Sequence, residues 1–206
     1  MNTLATIDTP AALIERTRMR CNIERMQGHM NELGVRFRPH VKTSKCIEVA
    51  KAQREAGAQG ITVSTLKEAE QFFAAGFTDI LYAVGMALHR LPHALELRRR
   101  GCALGILTDS VASARAIAEF GRANGEAFDV LVEVDTDGHR SGIKPEEDAL
   151  LEVGRVLHEG GMRLGGVLTH AGSSYELDTP EALKAMAEQE RSGCVRAAQR
   201  LRDAGL

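Results

Sequence analysis

The feature that most constrains this chain is an alternation. From Gly34 onward, short β-prone runs are each followed by a stretch of helix length. The strand candidates are residues 36–41, 60–63, 80–84, 104–107, 130–134 and 164–169. The helical stretches are 45–56, 66–75, 88–100, 111–124, 146–159 and 180–204. An amphipathic helix over 11–33 precedes them, with Thr9 as its N-cap and Pro10 at its first position. Gly57, Gly76, Gly101, Gly125 and Gly160 fall where helices should stop and strands begin. No Pro/Ser-rich linker or low-complexity run interrupts the pattern, so residues 1–206 read as one domain.

Strict alternation implies a parallel sheet with right-handed crossovers. Two α/β architectures compete: an open doubly wound sheet and a closed (β/α) barrel. A dinucleotide-type open sheet shows G-x-G-x-x-G after its first strand. Here the first strand candidate runs into Pro39-His40-Val41-Lys42-Thr43-Ser44-Lys45, which has no glycine. That favours the barrel. A barrel takes eight units and roughly 250 residues, whereas this chain supplies six units. The expectation is an incomplete parallel (β/α) barrel, a fragment whose remaining strands belong to a longer chain or to a partner. Its unclosed edges and apolar surface would promote association.

Composition removes several function classes. The chain is 44% hydrophobic and 26% charged with net charge −2, the balance of a soluble globular domain. Near-neutral charge argues against electrostatic binding of nucleic acid. The basic triplet Arg98-Arg99-Arg100 reads as a solvated helix end. No apolar run is long enough to span a bilayer, so no membrane partner is expected. The opening MNTLATIDTP has neither a charged nor an apolar leader region. Cys21, Cys46, Cys102 and Cys194 are widely spaced, which suits neither a disulfide framework nor a zinc ribbon. A reducing cytoplasm is the expected compartment.

In parallel α/β folds the ligand lies beyond the C-terminal ends of the strands. Ionisable and small residues gather at those ends, while the opposite ends carry helix-stop glycines and scattered charges. Lys42 follows the first strand and would point into the barrel mouth. Desolvation and nearby cations such as Arg140 would favour its free amine, which Schiff-base chemistry needs. The alternative is a surface lysine paired with a carboxylate. Lys45, at the start of the next helix, reads as exposed. Arg140 either serves the site or makes a structural salt bridge to Asp135 or Asp137. His170 and Tyr175, with Gly172 between them, could bind a planar ligand or be merely solvated. The run Asp135-Thr136-Asp137-Gly138 lacks the later ligands of a calcium loop. His89 and His93 are four apart, but Pro92 and the missing Glu make a zinc site a weak reading.

The segment Arg38-Pro39-His40-Val41-Lys42-Thr43-Ser44-Lys45 resembles the R-P-H-x-K-T-x-K signature of the D-threonine aldolase and D-serine dehydratase family. That family shares the alanine racemase N-terminal barrel, a fold-type III pyridoxal-phosphate architecture. Ile7-Asp8-Thr9-Pro10-Ala11, the segment 62–70, the segment Asp135 to Gly142 and the segment Thr169 to Tyr175 are similar to further family motifs, in the same order. The resemblance implies that Lys42 carries pyridoxal 5′-phosphate (PLP) as an internal aldimine. It places His40 and Arg140 near the cofactor ring, with Tyr175 and His170 contacting it from the sixth strand. Two departures stand out: Ser44 replaces a frequent His, and Gly138 comes one place late. The family's phosphate-binding loop and its C-terminal β-domain, with the ligands of a divalent metal (Mn, Mg or Zn), have no counterpart in this sequence. The implied activity is a lyase acting on small D-3-hydroxy amino acids, with aldol cleavage placed ahead of dehydration. An amino-acid racemase and a non-catalytic cofactor-binding fragment remain alternatives. A homodimer is implied for the full-length form.

Overall fold

A computed structural model describes residues 4–206. Residues 1–3, the start of the opening read above for a leader, lie outside the described residues. Seven α-helices and five β-strands alternate among them. In chain order they are α1 (Arg16–Glu32), α2 (Ile47–Glu55), β1 (Ile61–Val63), α3 (Leu66–Ala74), β2 (Asp79–Gly85), α4 (Leu91–Arg99), β3 (Ala103–Thr108), α5 (Val111–Asn124), β4 (Asp129–Val134), α6 (Ala149–Glu159), β5 (Arg163–Thr169) and α7 (Pro180–Asp203).

The strands form one parallel sheet in the order β1-β2-β3-β4-β5. Each strand pairs with its neighbour in sequence and the order never reverses. A doubly wound sheet requires such a reversal, so the sheet is part of a barrel wall. The first strand candidate, 36–41, is the point of difference. It runs alongside β1 but forms only an isolated bridge, His40 to Thr62. The Thr62 N–H donates to the Pro39 carbonyl and the Val41 N–H donates to the Thr62 carbonyl, both at 2.9 Å. Pro39 has no N–H to give, so the ladder cannot become regular there. The barrel wall therefore has five full strands plus this bridged sixth segment.

The alternation within strands sets two faces. Along β4, Val130, Val132 and Val134 are fully buried against the helices, while Leu131 and Glu133 face the barrel interior half-buried. The outer layer packs Ile61, Ile80, Leu104 and Ile106 against Phe72, Leu97, Ile117, Leu150 and Leu157. Inside, large and small residues alternate across strands. A Cβ at Gly105 would come within 3.2 Å of Leu81, and one at Gly165 within 3.2 Å of Leu131. These leucines occupy the space that the glycines leave, as in the layered interior of a barrel.

Local chemistry explains most helix ends. Thr65, Ser110 and Thr179 cap α3, α5 and α7 by accepting from the backbone N–H three residues on. Gly125 ends α5 in the left-handed region at φ +64°. The first helix starts later than the sequence predicts. Glu15 caps it by accepting from Thr17 and Arg18, and residues 11–15 are not helical. Thr9 and Pro10 lie well before it, joined by a cis peptide bond. Gly160 closes α6 as expected, but in the right-handed region at φ −74° and packed against Ala118 of α5, while Gly161 takes the left-handed turn at φ +78°.

Candidate active site

The two ends of the sheet have different chemistry. At the N-terminal ends, charged residues pair with one another. Asp79, Asp129 and Arg163 open β2, β4 and β5. Arg38 binds Asp79 at 2.8 Å, Arg163 binds Asp129 at 2.6 Å, and Arg98 binds both Glu126 at 2.7 Å and Asp129 at 2.8 Å. Arg163 first, with Arg98 adding to it against burial, holds the Asp129 carboxyl below its ordinary value. Arg98 also donates to the Leu104 and Ala127 carbonyls. Its side chain is only 9% exposed, so it is a buried hub and not the solvated helix end the triplet suggested. Such ties at the base of a barrel wall stabilise the fold, while the opposite end is left for chemistry.

At the C-terminal ends, the segment after Val41 carries the first group. Val41 is buried and tied to Thr62, and the Lys45 N–H closes back on the Val41 carbonyl at 2.9 Å. This one-turn loop presents Lys42 exposed to solvent. The burial expected of Lys42 is therefore not provided by residues 4–206. The surface position of the alternative reading therefore holds, while among the described residues the Lys42 ammonium has no carboxylate partner. His40 stands beside it. The Lys42 N–H donates to His40 Nδ1 at 3.3 Å, which leaves the ring proton on Nε2 facing Ser64 Oγ at 3.3 Å. Burial first, then the positive charges of Lys42 and His170, push the His40 imidazole below its ordinary value, against the opposing pull of Glu68. His40 is thus an oriented ring whose neutral form is favoured.

The second group comes from the loops after β4 and β5. Asp137 accepts from both the N–H and the hydroxyl of Ser173 at 2.8 Å. Burial alone would raise its carboxyl, but the Ser173 and His139 donors outweigh it and hold the carboxyl at about 2. Asp135 accepts from the Asp137 and Gly138 N–H groups. Both carboxylates are thereby engaged with backbone, and neither forms the salt bridge to Arg140 that was one of its two readings. Arg140 instead lies against Gly172, and its guanidinium has no partner among the described residues. His170 and Tyr175 form a third group. The Tyr175 hydroxyl lies 3.0 Å from His170 Nε2, with ring centroids 5.5 Å apart. Both are exposed.

These positions fit PLP in the chemistry of their donors. An unpaired amine, an unpaired guanidinium, a neutral imidazole and a paired His–Tyr couple all stand at strand ends. Residues 14–206 match the alanine racemase N-terminal domain model.

The chain belongs to the alanine racemase N-terminal domain family.

Within the family, the chain is 70% identical to the D-threo-3-hydroxyaspartate dehydratase of Delftia sp. strain HT23 over all 206 residues, which make up 54% of that enzyme. A solved structure of that enzyme superposes with TM-score 0.98, covering 100% of this chain and 55% of the other. A D-serine dehydratase of Dictyostelium discoideum is 30% identical over 89% of this chain and 50% of its own. The solved D-threonine aldolase of Filomicrobium marinum is 30% identical with TM-score 0.88, over 98% of this chain and 55% of its own. The chain spans about half the length of the curated relatives it matches. By their names, these relatives are two dehydratases and an aldolase of D-amino acids. No helix among the described residues is long and apolar enough to cross a membrane.

Sequence reasoning missed Ser64, Glu68 and the Asp137–Ser173 tie. Glu68 had a signal, because Thr65-x-x-Glu68 matches the capping-box pattern, although its carboxylate accepts from the Ser64 N–H. The tie had none, because its partners are 36 residues apart.

Proposed function

We propose that this chain is the PLP-bearing part of a lyase for D-3-hydroxy amino acids, and that the reaction is dehydration of a threo-3-hydroxyaspartate-type substrate. The observation that carries this reading is the 70% identity to the Delftia dehydratase across all 206 residues. Aldolases of D-threonine reach only 29% and 30%. Dehydration therefore moves ahead of aldol cleavage, the reverse of the order taken from the sequence motif.

Lys42 is the residue that would hold PLP, through its amine, with His40, Arg140, His170 and Tyr175 around it. When bound, PLP supplies an electron sink for charge developing at the substrate Cα. Once the substrate's amine has taken its place, the freed Lys42 amine would take the proton from Cα. The Cα–H electron pair would form the Cα=Cβ bond as the β-hydroxyl takes up a proton and leaves as water, and the released enamine, through its imine form, would hydrolyse to ammonia and a 2-oxo acid. His40 holds the backbone N–H of Lys42 and so fixes where that amine emerges. Arg140 supplies an unpaired fork of donors for an electron-rich acceptor. Among the described residues no group of three or more His, Cys, Asp or Glu side chains could hold a divalent metal.

The test supplies the PLP-loaded protein with D-threo-3-hydroxyaspartate and with D-threonine. Ammonia and oxaloacetate from the first, with no glycine from the second, is the expected result. Glycine and an aldehyde as the main products would restore the aldolase reading. Washing of α-deuterium with loss of chirality would indicate a racemase.

A further inference from the structure

One buried charge is unused by the reading above. Glu68, at the start of α3, is 6% exposed and lies at the functional end of the sheet. A helix cap does not need a buried charge. The Thr65 hydroxyl already accepts from the Glu68 N–H at 3.0 Å. The Glu68 carboxylate reaches further. One oxygen accepts from the Ser64 N–H at 2.8 Å, and the other lies 3.1 Å from the Lys45 ammonium. Among the described residues, Lys45 is the non-glycine residue with positive φ, at +46°. A lysine in the left-handed region is strained and persists only where its surroundings hold it.

We propose that the Glu68–Lys45 pair is a positioning device for the Lys42 loop. This inference rests on the reading of Lys42 as the attachment point of PLP. The loop runs from Val41, fixed to β1 through Thr62, to Lys45, fixed to α3 through Glu68. Lys42 lies between the two anchors. The same carboxylate grips the backbone of Ser64, whose hydroxyl faces His40, and His40 in turn accepts from the Lys42 N–H. One buried carboxylate therefore holds both the far end of the loop and the histidine beneath it.

Glu68→Gln separates this role from helix capping. The amide oxygen can still accept from the Ser64 N–H, but the ion pair to Lys45 is lost. Three quantities are measured on the variant: thermal stability, the PLP concentration for half-saturation, and the His40 titration midpoint by proton NMR. The charged groups facing His40 are Lys42, Glu68 and His170. The expected result is a stable fold, a half-saturation concentration raised about tenfold, and a His40 midpoint moved to lower pH. Lys45→Met should reproduce the weakened PLP binding, and Lys45→Arg should largely restore it. Unchanged PLP binding in both Glu68→Gln and Lys45→Met, with wild-type stability, would overturn the proposal. If wild-type protein itself acquires no PLP at Lys42, the functional reading fails instead, and the two failures are distinguishable. Should Glu68→Gln fold poorly, Lys45→Met carries the same test from the exposed side of the pair.

Discussion

Gly172 lies directly beneath the side chain of Arg140. A Cβ at Gly172 would sit 2.6 Å from Arg140 Cγ and 2.7 Å from His139 Cδ2. The missing side chain is what lets the unpaired guanidinium lie across the loop after β5. Gly172→Ala should push Arg140 away. Arg140 is exposed and can swing outward, so stability should fall by about 1 kcal/mol, the low end of overpacking costs. PLP affinity should fall about tenfold, read by absorbance titration. Unaltered affinity would remove Arg140 from the cofactor's surroundings.

Arg98 makes the opposite prediction. It joins α4 to Glu126, Asp129 and two carbonyls at the N-terminal ends of the strands. Arg98→Ala leaves the Glu126 carboxylate without its cation and Asp129 with Arg163 alone, so chemical denaturation should show a loss of about 2 kcal/mol. PLP binding per folded molecule should be unchanged, because the residue is at the end of the sheet away from Lys42.

Asp137 sets a pH window. Its carboxyl titrates at about 2 in the fold against an ordinary 3.8. A lowered carboxyl stabilises the folded state fully above the ordinary value and loses that contribution as pH falls towards 2. The stability gap between the wild type and Asp137→Asn should therefore be constant above about pH 5 and shrink between pH 4 and 2. Acid titration followed by circular dichroism measures it. A gap that does not change over that range would mean that Ser173 does not hold the carboxylate.

The alternation of β and α runs was enough to read five strands and the barrel, because parallel strands buried on one face show as short apolar runs between helix-stop glycines. The first candidate, 36–41, fell short for a local reason, the missing N–H of Pro39. Within the proposed site, contacts were legible where neighbours in sequence make them: His40 with Lys42, and His170 with Tyr175. It was not legible where distant segments meet. Arg98 reads as surface charge until Glu126 and Asp129, 28 and 31 residues away, are placed against it. Lys45 reads as exposed, and most of its side chain is, but its end is held by the buried carboxylate of Glu68 on another element. Gly172 reads as a small loop residue, and only the packing of Arg140 gives it a purpose.

The central claim is that Lys42 is where PLP attaches. Borohydride reduction after incubation with PLP, followed by peptide mass spectrometry, tests it most directly. The account predicts one reduced adduct, at Lys42, which disappears in Lys42→Ala while the fold remains. Adducts spread over Lys45, Lys51, Lys67 and other lysines, or an adduct that survives in Lys42→Ala, would contradict it.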